Sequence, residues 1–392
     1  MIKRALLLVI LIFLFLIAPS LPSQAQDGIT CISSAEASFP QAIAFNLEAE
    51  SSSKITKIVL EYRVDRLLSC ASVTSVVFPD FVPDTSVEVS WSWEMIKTGG
   101  LPPGTEVRYR WVIADAAGQR LETPWQTLSF DDDRYSWMSL SSGNVEIRWH
   151  EGSQSFAQEL MTAALDALYR LEGDTGATLE EDVRIYIYAS PYELQNAMIY
   201  PYEWTGGVAF TQYGVIALGI SPYDLEWGKG AIAHEIAHLV IHQVTFNCYS
   251  GLPTWLDEGL AMRAEGGLSS YYSLLLEEAI LEDRLFSVRS LSGSFPAGAE
   301  EASLCYAQSY SLVDFLIDHY GRDRMLELLM VFSEGSSYDD ALEEVYGFDM
   351  DGLDALWRES IGAQAPPIPL FALPLGIGGI GHIIDTLVES IP

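Results

Sequence analysis

The stretch "GAIAHEIAHLVIHQV", residues 230–244, sets three histidines four residues apart and places a glutamate directly after the first. Ile232, Ile236, Leu239 and Val240 make the run apolar enough for a buried helix. In an α-helix, residues four apart are offset by about 40° and rise about 6 Å, so His234 and His238 project from one face and can share a metal ion. Glu235 stands one step round the axis, where it misses the ion but reaches a water held beside it. Two neutral imidazoles need a further ligand, commonly a carboxylate, with the fourth position left to water. A solvated helix explains the run poorly, because polar residues on a buried helix need partners.

A partner follows within the next segment, "LPTWLDEGLAMRAEGG", residues 252–267. Pro253 and Thr254 start a helix and Gly266-Gly267 stop it, which predicts a second helix over 254–265. Asp257, three residues after Thr254, is placed to serve the helix N-terminus. Glu258 shares a face with Trp255 and Met262, next to Gly259, whose missing side chain would let the two helices approach. Glu258 is therefore the expected third ligand and Asp257 its alternative. His242 lies one turn beyond a coordination sphere already filled and reads as support for it. His150 and His319 have no partner at ligand spacing and read as structural.

"HEIAH", followed after 19 residues by the glutamate of "WLDEGLA", resembles the gluzincin arrangement of zinc metallopeptidases, the group that holds thermolysin and aminopeptidase N. The wording is most similar to bacterial peptidase MA-like proteins, over roughly residues 145–335, from "RWHEG" to the helix after "YAQSYSLVDFL". The resemblance implies one Zn²⁺ per chain on His234, His238 and Glu258, with Glu235 as general base and a peptide or protein as substrate. It also implies an oxyanion donor at Tyr306, just before a helix, with Tyr310 as competitor. "GGVAF" and "GVIALGI" would supply the edge strand that pairs with an extended substrate. One departure stands out: the "GxMEN" segment by which aminopeptidases hold a free amine is absent, with "TGGVAF" in the comparable region. Two other readings are a non-catalytic surface-binding protein on the same scaffold and a zinc hydrolase of a non-peptide amide. The first would be marked by loss of a ligand or of the base, and none is lost.

Around this centre the chain divides by composition. Residues 1–25 read as a signal peptide, with Lys3 and Arg4, an apolar run from Ala5 to Ala18, and small residues at Ser23 and Ala25. Residues 26–132 alternate in short runs such as "AIAFNLEAE" and "EVRYRWVIAD", the pattern of an immunoglobulin- or fibronectin-III-like β-sandwich with nothing catalytic in it, a spacer or docking module. After "DDDR" at 131–134, residues 133–363 read as α+β: a small mixed sheet, then helices over 227–245, 254–265, 270–282, 307–320, 322–333, 337–345 and 350–361. Residues 364–392 form an apolar tail rich in Gly and Pro, which could associate with a membrane surface.

Removing residues 1–25, which hold two basic residues and no acidic one, leaves 19 Lys+Arg against 54 Asp+Glu, a formal charge of −35. That balance argues against nucleic acid as a partner. Four cysteines in an exported chain, secreted or held at the cell surface, predict two disulfides. Cys31 with Cys70 and Cys248 with Cys305 is the expected pairing, since each bridge then stays within one domain.

Overall fold

Alternating apolar residues drive the first hundred described residues into strands. The computed structural model describes residues 28–201 and 206–364, so the expected signal peptide and apolar tail lie outside the described residues. The strands are β1 (Thr30–Ser38), β2 (Ala42–Glu50), β3 (Ile55–Val64), β4 (Ser75–Val77), β5 (Ser86–Glu94), β6 (Thr105–Asp115), β7 (Arg120–Glu122) and β8 (Gln126–Phe130). One antiparallel sheet runs β1-β2-β5, and the other β4-β3-β6-β7 with β8 also on β6. Ile43, Phe45 and Leu47 on one sheet bury against the core that Ile58, Leu60, Val107 and Trp111 form on the other, which makes a sandwich.

The second region begins with β9 (Met138–Ser142), β10 (Val145–Trp149), α1 (Gln154–Thr175), β11 (Val183–Tyr188), α2 (Pro191–Gln195), β12 (Gly207–Phe210) and β13 (Val215–Gly219). These strands form one mixed sheet in the order β12-β13-β11-β10-β9, with the three inner strands parallel and the two edges antiparallel. Helices follow: α3 (Leu225–Thr245), α4 (Thr254–Ala264), α5 (Ser270–Leu281), α6 (Val288–Leu291), α7 (Ala299–Tyr320), α8 (Arg322–Ser333), α9 (Tyr338–Tyr346) and α10 (Met350–Ser360). Among the described residues, no helix is long and apolar enough to cross a membrane.

The period of two along the mixed sheet assigns its two faces to different neighbours. Ile185, Ile187, Ile216 and Leu218 belong to the core of the helices, whereas Tyr186, Tyr188, Val215 and Ala217 belong to the core of the sandwich. The sandwich therefore does more than space or dock, because it closes the sheet's second face. The acidic boundary is part of that seam: the Tyr186 hydroxyl donates to Asp131 at 3.0 Å and the Tyr188 hydroxyl to Asp132 at 3.0 Å. Arg134 also pairs with the fully buried Asp132 carboxylate.

Several expectations are corrected. The disulfide joins Cys70 to Cys248, across 178 residues, while Cys31 and Cys305 are free. The loop after β3 reaches the loop after α3, so the bridge crosses between the two regions; Cys305 is buried within α7, and no thiol lies beside it. The helix expected from 307 starts eight residues earlier at Ala299, where Glu300 and Glu301 suit the positive N-terminal end. Tyr306 thus lies inside that helix and not before it. Gly259 does bring helices together, but the pair is α4 and α7: a Cβ there would collide with the Ser309 carbonyl and Val313.

Candidate metal centre

Helix α3 is held rigidly because Ile232, Ile236, Leu239, Val240 and Ile241 are all fully buried. Its remaining face turns His234, His238 and His242 toward α4, where Asp257 and Glu258 occupy the first turns. The N-cap of α4 is Pro253, whose side chain cannot cap it, and Asp257 is engaged elsewhere. It accepts instead from two imidazoles, His238 Nδ1 at 2.9 Å on one oxygen and His242 Nε2 at 3.1 Å on the other. Burial alone would raise the Asp257 carboxyl, but these imidazoles hold it well below the usual carboxylate range. His234 Nδ1 finds its own carboxylate, Glu265 Oε1, at 2.8 Å.

Because an ionised carboxylate can only accept, both Nδ1 atoms carry a proton, which leaves the two Nε2 atoms as the positions where a cation can take a proton's place. Those two atoms converge on one oxygen: Glu258 Oε2 is 3.2 Å from His234 Nε2 and 3.6 Å from His238 Nε2. Neither contact has hydrogen-bond geometry, and Glu258 Oε2 is buried without a hydrogen-bond partner. An orphaned carboxylate oxygen facing two imidazole Nε2 atoms is a donor set for a cation, which would displace any proton held there, and two nitrogens with one oxygen suit zinc. The three ligand atoms lie within 4.8 Å of one another. His238, His242 and Asp257 are grouped as closely, but hydrogen bonds already account for that group.

Electrostatics favour positive charge at the same point. Burial opposes protonation of His234 and His238, yet the surrounding carboxylates outweigh it and raise both, His238 to about 9. Burial also raises the Glu235 carboxyl, against the pull of His238 and His234. Glu235 Oε1 sits against the start of β12, where a Cβ on Gly207 would lie 2.8 Å from that oxygen and 2.6 Å from Leu218. Any side chain at 207 would displace the carboxylate.

Tyr306 reaches the centre from α7, with its ring 6.3 Å from that of His234 and edge-on to Phe295 at 5.2 Å. Burial raises its hydroxyl above the ordinary range, which keeps it a donor. Tyr310 faces elsewhere, with Asp314, Arg263 and Asp174 as its charged neighbours. His150 lies outside the centre, 2.9 Å from Glu193 and stacked on Tyr135. His319 bonds the Phe315 carbonyl through Nδ1.

The structure thus gathers His234, His238, Glu258, Glu235 and Tyr306 and leaves Tyr310, His150 and His319 outside. Two members were not anticipated. Glu265 follows Glu258 by seven residues, two helical turns on the same face, and that spacing was a usable signal. Gly207 carried only the weaker signal of a glycine pair before a strand.

The sequence pattern of the Peptidase MA superfamily matches residues 163–363, about half of the chain and every residue of this centre. The chain belongs to the Peptidase MA superfamily. No curated protein matches this superfamily member. Its structure is similar to that of a two-domain M1 zinc metallopeptidase mutant bound to L-arginine, at 11% identity and a TM-score of 0.35, covering 88% of this chain and 96% of that one. It is similar also to an aminopeptidase N family protein from Idiomarina loihiensis, at 10% identity and a TM-score of 0.36, covering 82% and 75%. A catalytically inactive OgpA from Akkermansia muciniphila, in complex with an O-glycopeptide substrate, is 14% identical with a TM-score of 0.21, covering 27% of this chain. This chain spans only 30% of that protein's length.

Proposed function

We propose that this chain is an exported zinc metallopeptidase that hydrolyses peptide bonds, secreted or held at the cell surface. The observation that carries the reading is the pair of imidazoles, each fixed by a carboxylate at Nδ1, whose Nε2 atoms meet at the orphaned Glu258 Oε2. His234, His238 and Glu258 would hold the ion. Zinc bound there supplies Lewis acidity, which lowers the pKa of a water toward ~7 and polarises a carbonyl.

The chain's own residues supply the rest. Glu235, beside Gly207, takes a proton from the attacking water and passes it to the leaving amine. Tyr306 donates a hydrogen bond to the oxygen on which negative charge develops. Among the described residues, strand β12 is an edge that pairs with β13 alone in its sheet, so its outer side suits an extended peptide. Asp257 and Glu265 fix the ring orientation of the two histidines. A disulfide between two loops supports export, since such bridges persist in oxidising surroundings. Membrane-surface association through the tail beyond 364 remains part of this proposal.

Zinc content and hydrolysis of a mixed peptide library, measured for the wild type and for Glu235→Gln, test the reading. Stoichiometric zinc in both with turnover only in the wild type is expected. Zinc-free wild-type protein would remove the metal assignment, and equal turnover would remove Glu235 from its role.

A further inference from the structure

Trp227 stands in the first turn of α3, seven residues before His234. Seven residues amount to two turns less about 20°, so the indole issues from the metal-facing side of the helix, about 10 Å up its axis. It is a large apolar side chain left 45% exposed. Its far edge lies against the residue that leads into β12: a Cβ on Gly206 would lie 3.0 Å from both Cζ2 and Cη2. The adjoining Gly207 has the same relation to Glu235 Oε1, at 2.8 Å. Gly206 and Gly207 are consecutive, so the benzo edge of Trp227 and the Glu235 carboxylate approach neighbouring residues at the start of β12. Nearby charge is already paired, since Lys229 bridges Glu159 at 3.0 Å and Glu226 at 3.1 Å. Among the described residues, the part-exposed indole is then an apolar surface at the start of β12 that Glu235 also approaches.

We infer that Trp227 is a specificity-determining residue, whose indole receives a large apolar side chain on the substrate residue adjoining the cleaved bond. The inference rests on the peptidase reading and on a substrate laid along β12. A peptide there passes Glu235 with its reacting carbonyl, so a neighbouring side chain meets the indole. Burying apolar surface against an aromatic face favours Phe or Leu over Ala at that position.

Two readouts test it. In the peptide library, wild-type protein should enrich large apolar residues on one flank of the cut. Trp227→Ala should lower that enrichment about tenfold, while Trp227→Phe, which keeps an aromatic face, should retain most of it. The second readout needs no turnover. In the Glu235→Gln background, calorimetry compares two octapeptides that differ by Phe or Ala at the enriched position, or at each central position in turn if no cut is seen. The Phe peptide should bind about tenfold tighter, and Trp227→Ala should erase the ratio. An unchanged ratio in Trp227→Ala, or none in the parent, overturns the inference. A wild type that cuts no peptide overturns the peptidase reading, and the binding ratio then still decides for or against Trp227.

Discussion

The two faces of the mixed sheet are built from the same strands yet carry different kinds of residue. Toward the helices they present Ile185, Ile187, Ile216 and Leu218, an aliphatic floor beneath α3. Toward the sandwich they present Tyr186 and Tyr188, whose hydroxyls end on the carboxylates of Asp131 and Asp132. The aliphatic floor leaves the polar groups of α3 free to face α4, where carboxylates complete them. The aromatic face uses its polar groups to fasten the sandwich. One side of the sheet thus supports the candidate centre and the other supports assembly, and substitutions on the two sides should have separable effects.

The largest effect is expected on the helix side. Glu235→Gln should lower turnover about 10³-fold, in the usual range for a general base, with zinc content and melting temperature unchanged. If stability falls as well, the separation fails at its strongest point. Next comes the bridge between the regions: replacing Cys70 and Cys248 together by serine should cost about 3 kcal/mol in denaturant unfolding. Zinc stoichiometry should hold in that variant under native conditions. Tyr306→Phe should then lower kcat by about 10²-fold with little change in KM, as for loss of an oxyanion donor. Loss of stability without loss of kcat would return Tyr306 to the core. The smallest effect belongs to Tyr188→Phe, expected to cost about 1–2 kcal/mol of stability through the lost hydrogen bond to Asp132, with kcat unchanged. A matching fall in kcat would show that the aromatic face reaches the chemistry.

How much of this was legible beforehand depended on sequence distance. His234, Glu235, His238 and Glu258 fall within 25 residues on two consecutive helices, so helical geometry alone could assemble them. Asp257 was visible, but its partner was not: a carboxylate near a helix start can cap the helix or serve a neighbouring helix, and burial beside two histidines decided for the neighbour. Tyr306 depended on family likeness, because nothing local says that α7 crosses α4 at Gly259. The role of the sandwich was hidden for a similar reason. "VRIYIY" shows alternation, but a tyrosine row reads equally as a solvated face until the neighbour that covers it is seen. The disulfide failed on an assumption that bridges stay within one domain, when these two regions share a core.

That bridge has a consequence for a protein proposed to work among peptidases. Cys70 and Cys248 enclose the greater part of the sandwich, the whole mixed sheet and the histidine-bearing helix α3. A single backbone cut anywhere between them leaves both pieces covalently joined. A nicked molecule would therefore run as one species until reduced.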